Sequence, residues 1–279
     1  FENVPVEALQ ILEDMGAIVC PGQTSLKICQ DRHLEKSFSR DAGVMTADYH
    51  VVNSVDEAIT AFEALGGNGI LKTRRDGYDG HGQRRLKPED SPVQAFEDLR
   101  EAPCVLEALV PFAGEMSVIV ARRADGEMAT FEPAENIHKN GILHISRAPS
   151  CYAEETKQAA IEAAKKLAEA LGHVGVMACE FFVLESGEIL LNEIAPRVHN
   201  SGHWTPEACI TGQFEQHIRA IVGWPLGSTD RLMDVEMENL LGDDVMKAYG
   251  SAGPGDMITL YGKREMRAGR KMGHIVRKL

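Results

Sequence analysis

Glu180 and Glu193 flank a short polar turn, Glu185-Ser186-Gly187-Glu188, within a run otherwise rich in apolar residues. With Ser186-Gly187 at the tip of a two-residue hairpin, Glu185 faces Glu188, and equal outward steps place Glu180 opposite Glu193 on one face. Their neighbours on that count are Ala178, Phe182, Leu191 and Ala195. Like charges in apolar company destabilise a fold unless a cation intervenes, and Mg²⁺, held by carboxylates beside substrate phosphates, fits the donor set. A turn shifted by one residue would instead send one carboxylate to the solvent face.

Lys72 opens a second cluster. Arg74 and Arg75 follow it, and then come Gly77, Gly80 and Gly82 within Gly77-Tyr78-Asp79-Gly80-His81-Gly82-Gln83. Closely spaced glycines let backbone N–H groups converge on an anion, while Lys72 and the arginines supply positive charge. The glycines alone suit a solvated hairpin tip equally well; Lys72 on the adjoining strand favours phosphate. This is not a Walker A loop, because Leu71 stands where that motif requires Gly and the residues after Thr73 are turn-like.

A polar run from Asn192 to Trp204 leaves the second strand of the glutamate hairpin. His199 and His203 have the spacing of a helical metal pair, but Pro196 and Gly202 argue for loop and no Cys is close, which disfavours zinc. Arg197 with His199 makes better sense as a donor set for an anionic substrate. Tyr261, Lys263, Arg264, Arg270, Lys271 and His274 form a basic group, either a solvated tail or a small phosphate pocket. No Gly-x-Ser-x-Gly elbow and no catalytic-cysteine signature is present, so nucleophilic hydrolysis has no support.

The elements that must position these residues alternate between helices and hairpins. Helical spacing runs through Val6 to Leu12, 17–20 reads as a short strand, and a helix is expected over about 26–41. A strand over 44–52 precedes a helix capped by Ser54 and Glu57 and ending at Gly66-Gly67. Residues 70–73 and 83–86 read as a hairpin, 104–145 as short strands with an Asp125-Gly126 turn, and 153–171 as an Ala-rich helix. The glutamate hairpin spans 176–194, a helix is expected over 206–221, and the Gly-rich, basic C-terminus reads as a small appended lobe. Hairpins mixed with helices predict an α+β fold with antiparallel sheets.

A chain of 279 residues has room for more than one structural unit, with 44% hydrophobic residues to build a core. Its formal charge of −13 disfavours broad nucleic-acid or anionic-membrane binding. The six cysteines stand singly with no Cys-x-x-Cys pair, which fits a reducing cytoplasm. No apolar run is long enough for a membrane span. The opening Phe-Glu-Asn-Val-Pro lacks Met and leads straight into a periodic segment, so a preceding stretch is expected to be missing.

Gly77-Tyr78-Asp79-Gly80, Gly82-Gln83, Asn136-Ile137-His138 with Gly141-Ile142-Leu143, and above all Asn192 to Trp204 resemble the 5-(carboxyamino)imidazole ribonucleotide synthetase family, ATP-grasp ligases of purine biosynthesis. The resemblance runs from Phe1 nearly to Leu279. It implies an ATP-grasp fold of two α+β lobes with antiparallel sheets: 1–30 as the remnant of a Rossmann-like domain, 31–225 as the ATP-grasp unit (divided at 103/104), and 226–279 as a substrate-binding lobe.

The reaction implied is ATP-dependent carboxylation of 5-aminoimidazole ribonucleotide by bicarbonate through carboxyphosphate, in a cytoplasmic homodimer. ATP and Mg²⁺, with Mn²⁺ as substitute, are the implied cofactors; nucleic acid and membrane are not partners. By position, Arg32 and Lys72 would meet the ATP phosphates and Gly77 to Gln83 would close over the nucleotide. Glu107, Ala108, Leu109 and Val110 would line adenine, with main-chain groups of Ala108 and Val110 reading its edge. Glu115 would hold the ribose, and His138, Asn192 and Glu193 would complete the nucleotide site. Glu180 and Glu193 match the metal carboxylates. Tyr78, Asp79, Arg197, His199, Lys263 and Arg270 match positions around bicarbonate and the ribonucleotide. His81 departs from the family's usual Arg or Lys, replacing a fixed charge with one that depends on pH. Another ATP-grasp ligase, or a nucleotide-binding module without catalysis, are the rival readings; the intact Glu180, Glu193 and Lys72 weigh against decay.

Overall fold

The structure, a computed structural model, describes residues 3–77 and 80–279. It begins with α1 (Val6–Asp14), α2 (Gln23–Cys29) and α3 (Arg32–Asp41). The helix expected over 26–41 is thus two. Asp31 adopts an extended conformation between them and caps α3, its carboxylate accepting from the backbone N–H groups of His33 and Leu34. Residues 17–20 form no strand: they pair with no neighbouring strand among the described residues, and Ile18 is 92% exposed.

After α3 come β1 (Tyr49–Val52), α4 (Val55–Ala64), β2 (Gly69–Thr73), β3 (Gln83–Leu86), α5 (Pro92–Asp98) and β4 (Cys104–Glu107). The strand expected from 44 starts only at Tyr49, because Thr46 instead makes a lone parallel bridge to Leu191. The four strands form an antiparallel sheet in the order β1-β4-β2-β3. Ala58, Phe62 and Phe96 from α4 and α5 pack on Val52, Leu71 and Leu106. Strand alternation then turns Lys72 and Glu107 to the opposite face, together.

The second sheet holds β5 (Phe112–Arg122), β6 (Met128–Thr130), β7 (Ala134–Lys139), β8 (Ile142–Ala148), β9 (Gly175–Leu184), β10 (Ile189–Ala195), β11 (Val235–Leu241), β12 (Met257–Leu260) and β13 (Lys271–Lys278). Its order is β10-β9-β5-β7-β8-β11-β13-β12, with β6 beside β5. On one face lies α6 (Glu154–Ala170), whose Ala160, Ala164 and Leu167 meet Met116, Val118, Cys179 and Phe181. Small Ala side chains let this helix approach closely, and each fully buried Leu or Phe contributes roughly 1.5–3 kcal/mol.

The opposite face buries Ile119, Ala178, Ala195 and Trp204 under α7 (Thr205–Ala208). The helix expected over 206–221 is broken by residues 209–212 and resumes as α8 (Gln213–Ile221). The C-terminal residues continue the large sheet, β11 pairing with β8 and β13 with β11, while α9 (Asp244–Ser251) covers its end through Val245 and Ala248. Among the described residues no helix is long and apolar enough to cross a membrane.

Candidate functional site

Glu180 and Glu193 face each other across β9 and β10. The pairing comes about differently from the simple hairpin count. The turn is a three-residue loop, Glu185-Ser186-Gly187, closed by Leu184 N–H to Glu188 O (2.9 Å), with Gly187 at φ +85° where a side chain would be strained. Near the tip the strands are therefore offset by one residue, Leu191 opposite Phe181, until a bulge at Asn192 restores the count. A consequence is that Leu191 points into the core under α6 and does not flank the carboxylates.

The two carboxylates and His199 present ligand atoms within 4.8 Å of one another. Burial, and then the charge of Glu193, push the Glu180 carboxyl up to about 8. Two carboxylates whose mutual repulsion raises one of them, with oxygen donors converging, suit a hard divalent cation. His199 is a poorer ligand. Its Nδ1, 3.5 Å from Glu180 Oε1, accepts from the Ser201 backbone N–H (3.3 Å) and the Ser201 hydroxyl (2.9 Å), which puts the ring proton on Nε2.

Helix α3 ties this pair to the other sheet. Arg32 Nη1 lies 3.7 Å from Glu193 Oε2. One turn on, the buried Glu35 carboxylate accepts from Ile194 N–H (2.6 Å), next to the bulge; burial and then Glu193 raise it to about 8. Lys36 reaches the other way, to Glu107 (3.3 Å), which also takes Lys72 (2.9 Å). Burial favours the neutral acid at Glu107, yet Lys72 and then Lys36 hold it at about 2. At the helix start, Asp31 pairs with Arg74 (2.8 Å). Asp31, Glu35 and Lys36 escaped the sequence reading, since the partners of a charged helical face lie on strands far along the chain.

Glu115 on β5 and His138 on β7 are hydrogen-bonded, brought together because β5 and β7 are neighbours. Burial lowers the His138 ring, and the Glu115 carboxylate more than reverses it, so His138 sits above its ordinary value. In the glycine-rich segment, the place of a Gly77 Cβ is 3.5 Å from the Arg32 guanidinium, and Gly80 packs near Asn140 O. Gln83 pairs with Lys72 along the hairpin, and His81 lies in the turn before it. Tyr78 and Asp79 lie outside the described residues.

Two expectations change. The Glu107 side chain faces lysines instead of lining an open adenine slot, and the Ala108 N–H is already given to Asp48 O (2.8 Å), which leaves its carbonyl to read a ligand edge. Leu109 and Val110 remain partly exposed beyond it. Arg197 donates to Val198 O (3.1 Å). Lys263 donates to Lys271 O (2.6 Å) and Arg270 to Glu265 O (2.9 Å), both on the exposed segment before β13. Lys271 is the cation there that acts electrostatically on Glu180 and His199. A cavity of about 500 Å³ opens between the β7–β8 turn and residues 241–244 and 268–269, beside the glycine-rich segment and apart from the carboxylate pair.

These groups predict an unusual pH response. Burial lowers His173 and His274 to about 4 and His203 to about 3, so these rings add stability as pH rises toward the unfolded value near 6.5, where their contribution is complete. Glu35 and Glu180, raised to about 8, stabilise most below the ordinary carboxyl range and lose that contribution as pH climbs through 8. Metal-free protein should therefore lose stability between about pH 6.5 and 8, by up to about 1.4 kcal/mol per pH unit for each proton released. Denaturation in EDTA and in Mg²⁺ reads this out: the cation should flatten the decline, and equal slopes would refute binding at the pair.

Residues 37–214 match the ATP-grasp domain family, and 236–277 match the phosphoribosylaminoimidazole carboxylase C-terminal domain. The fold is thus that of an ATP-grasp protein. The chain is 51% identical to the N5-carboxyaminoimidazole ribonucleotide synthase of Brucella melitensis over 99% of its own length and 77% of the relative's, and 45% identical to that of Bacillus subtilis over 99% and 73%. It superposes with a TM-score of 0.93 on the Aspergillus clavatus N5-carboxyaminoimidazole synthase in complex with ADP and 5-aminoimidazole ribonucleotide, at 30% identity, covering all of this chain and 75% of that one. It belongs to the N5-carboxyaminoimidazole ribonucleotide synthase family.

Proposed function

We propose that the chain carboxylates 5-aminoimidazole ribonucleotide with bicarbonate and ATP, giving N5-carboxyaminoimidazole ribonucleotide, ADP and phosphate in purine biosynthesis. The observation that carries this reading is the opposed Glu180–Glu193 pair, with Arg32 beside it, in a chain of this family. A bicarbonate oxygen attacks the γ-phosphorus and ADP leaves, forming carboxyphosphate. The substrate amine then bonds to the carboxyl carbon, directly or through released CO₂; phosphate departs and the amine proton is lost.

In this reading Arg32 and Lys72 hold phosphate oxygens, with Glu107 and Lys36 fixing Lys72. Gly77 and Gly80 to Gln83 cover them. The Ala108 carbonyl, Leu109 and Val110 meet adenine. Glu115 takes the ribose hydroxyls, with His138 and Asn192 alongside. Tyr78, Asp79, Arg197, His199, Lys263 and Arg270 receive bicarbonate and the ribonucleotide. Mg²⁺ or Mn²⁺ at Glu180 and Glu193 would offset charge on the transferring phosphoryl group. We take 31–225 as the ATP-grasp unit, 226–279 as the substrate lobe and 1–30 as the end of a Rossmann-like domain. A cytoplasmic homodimer is also proposed: the six cysteines are free, and exposed Phe214, Ile218 and Val222 leave an apolar stripe on α8.

The test is phosphate release from Mg-ATP and bicarbonate, with and without 5-aminoimidazole ribonucleotide. Strong stimulation by that ribonucleotide and by no other amine is expected. Flat release with Mg-ATP still bound would refute the acceptor. Light scattering checks the dimer.

A further inference from the structure

Gln213, the first residue of α8, is fully buried and touches none of the groups to which a substrate role is given above except through the main chain of His199. Its Oε1 accepts from His199 N–H (2.9 Å) and its Nε2 donates to His199 O (2.8 Å), so one amide grips both backbone groups of a single residue. A backbone N–H can only donate, which fixes the amide's orientation. Nε2 therefore also donates to His203 Nδ1 (2.9 Å), and His203 must carry its proton on Nε2.

The surroundings are built for this grip. Thr205 Oγ1 accepts from Gln213 N–H (2.9 Å) and donates to Gly202 O (2.7 Å). A Cβ at Gly202 would stand 2.8 Å from Gln213 Oε1, so glycine is needed for the close approach. His203 in turn stacks on Phe214 (5.5 Å) and lies 5.1 Å from His274, which bonds Tyr261 Oη (2.8 Å). With its main chain held by Gln213 and its Nδ1 held by Ser201, His199 has Nε2–H as its remaining hydrogen-bonding group.

We infer that Gln213 is a positioning residue, which through His199 and the His203 stack aims the His199 Nε2–H at the acceptor substrate and joins the 196–204 loop to the C-terminal strands. This rests on the substrate role given to His199 above. A displacement of about 1 Å at a reacting group costs about 10²-fold in rate. Gln213→Glu keeps the shape and the oxygen facing His199 N–H but puts a second oxygen against two acceptors; Gln213→Leu removes all three bonds.

Both variants should lower kcat/KM for 5-aminoimidazole ribonucleotide by about 10²-fold, with KM for ATP within about threefold of wild type, a split that general loosening of the fold would not give. In the wild-type protein, ¹⁵N-detected histidine spectra should show His203 protonated at Nε2 and bare at Nδ1. Protonation at Nδ1 would overturn the geometry even if both variants failed to fold. If His199→Asn abolishes carboxylation while both Gln213 variants keep kcat/KM within twofold, the positioning role falls. If His199→Asn has no effect, the reading beneath it falls as well.

Discussion

Glu193→Gln should cut carboxylation by roughly 10²–10³-fold while making the metal-free protein more stable. The two effects have one origin. Glu193 is the charge that, after burial, pushes both Glu180 and Glu35 up to about 8, so the near-isosteric amide relieves a like-charge cluster. The same change removes one of two oxygen ligands from the proposed cation site and the partner of Arg32 at 3.7 Å. Steady-state turnover, together with denaturation in EDTA and in Mg²⁺, separates the contributions: the wild type should gain stability from Mg²⁺ and the variant should not. Wild-type turnover in the variant would sink the metal role.

Glu107→Gln should cost about 3–5 kcal/mol of folding stability, the usual result of stripping buried charges of their partner. Lys72 and Lys36 both depend on this one carboxylate, and Lys36 is already pulled below its ordinary value by burial. Adding Lys36→Met to Glu107→Gln should recover part of the loss, because one of the two stranded ammonium groups is gone. Mg-ATP affinity should stay low in the double variant, since Lys72 has lost the acceptor that aims it. Urea denaturation gives the cycle and calorimetry the affinity; additive losses would show that the lysines and Glu107 are not one unit.

What was legible in the sequence was mostly local. Alternation and turn residues located the β2–β3 and β9–β10 hairpins and the Ala-rich α6; counting from a two-residue tip reached the carboxylate pair only because the bulge at Asn192 offsets the longer, three-residue tip. Strand-forming composition at 17–20 failed because a strand needs a neighbour, and none pairs with it among the described residues. The break at Asp31 was missed because a cap inside a helical pattern reads as one more polar position. The hidden part of the site is the work of α3. Glu35 meets Ile194 and Lys36 meets Glu107 only through tertiary packing, to which a period of 3.6 residues is blind.

The β9–β10 hairpin also constrains how this protein can vary over evolution. Glu180 and Glu193 are thirteen positions apart, and that spacing brings them face to face either with a two-residue tip and straight strands or, as here, with a three-residue tip and a bulge. Substitutions that shift the tip from one form to the other leave both acids in place. A single insertion or deletion between them that neither the tip nor the bulge takes up changes parity and carries one acid through to the core beneath α6. Homologous sequences should accordingly tolerate new residue types along this hairpin far better than changes in length along its straight strands.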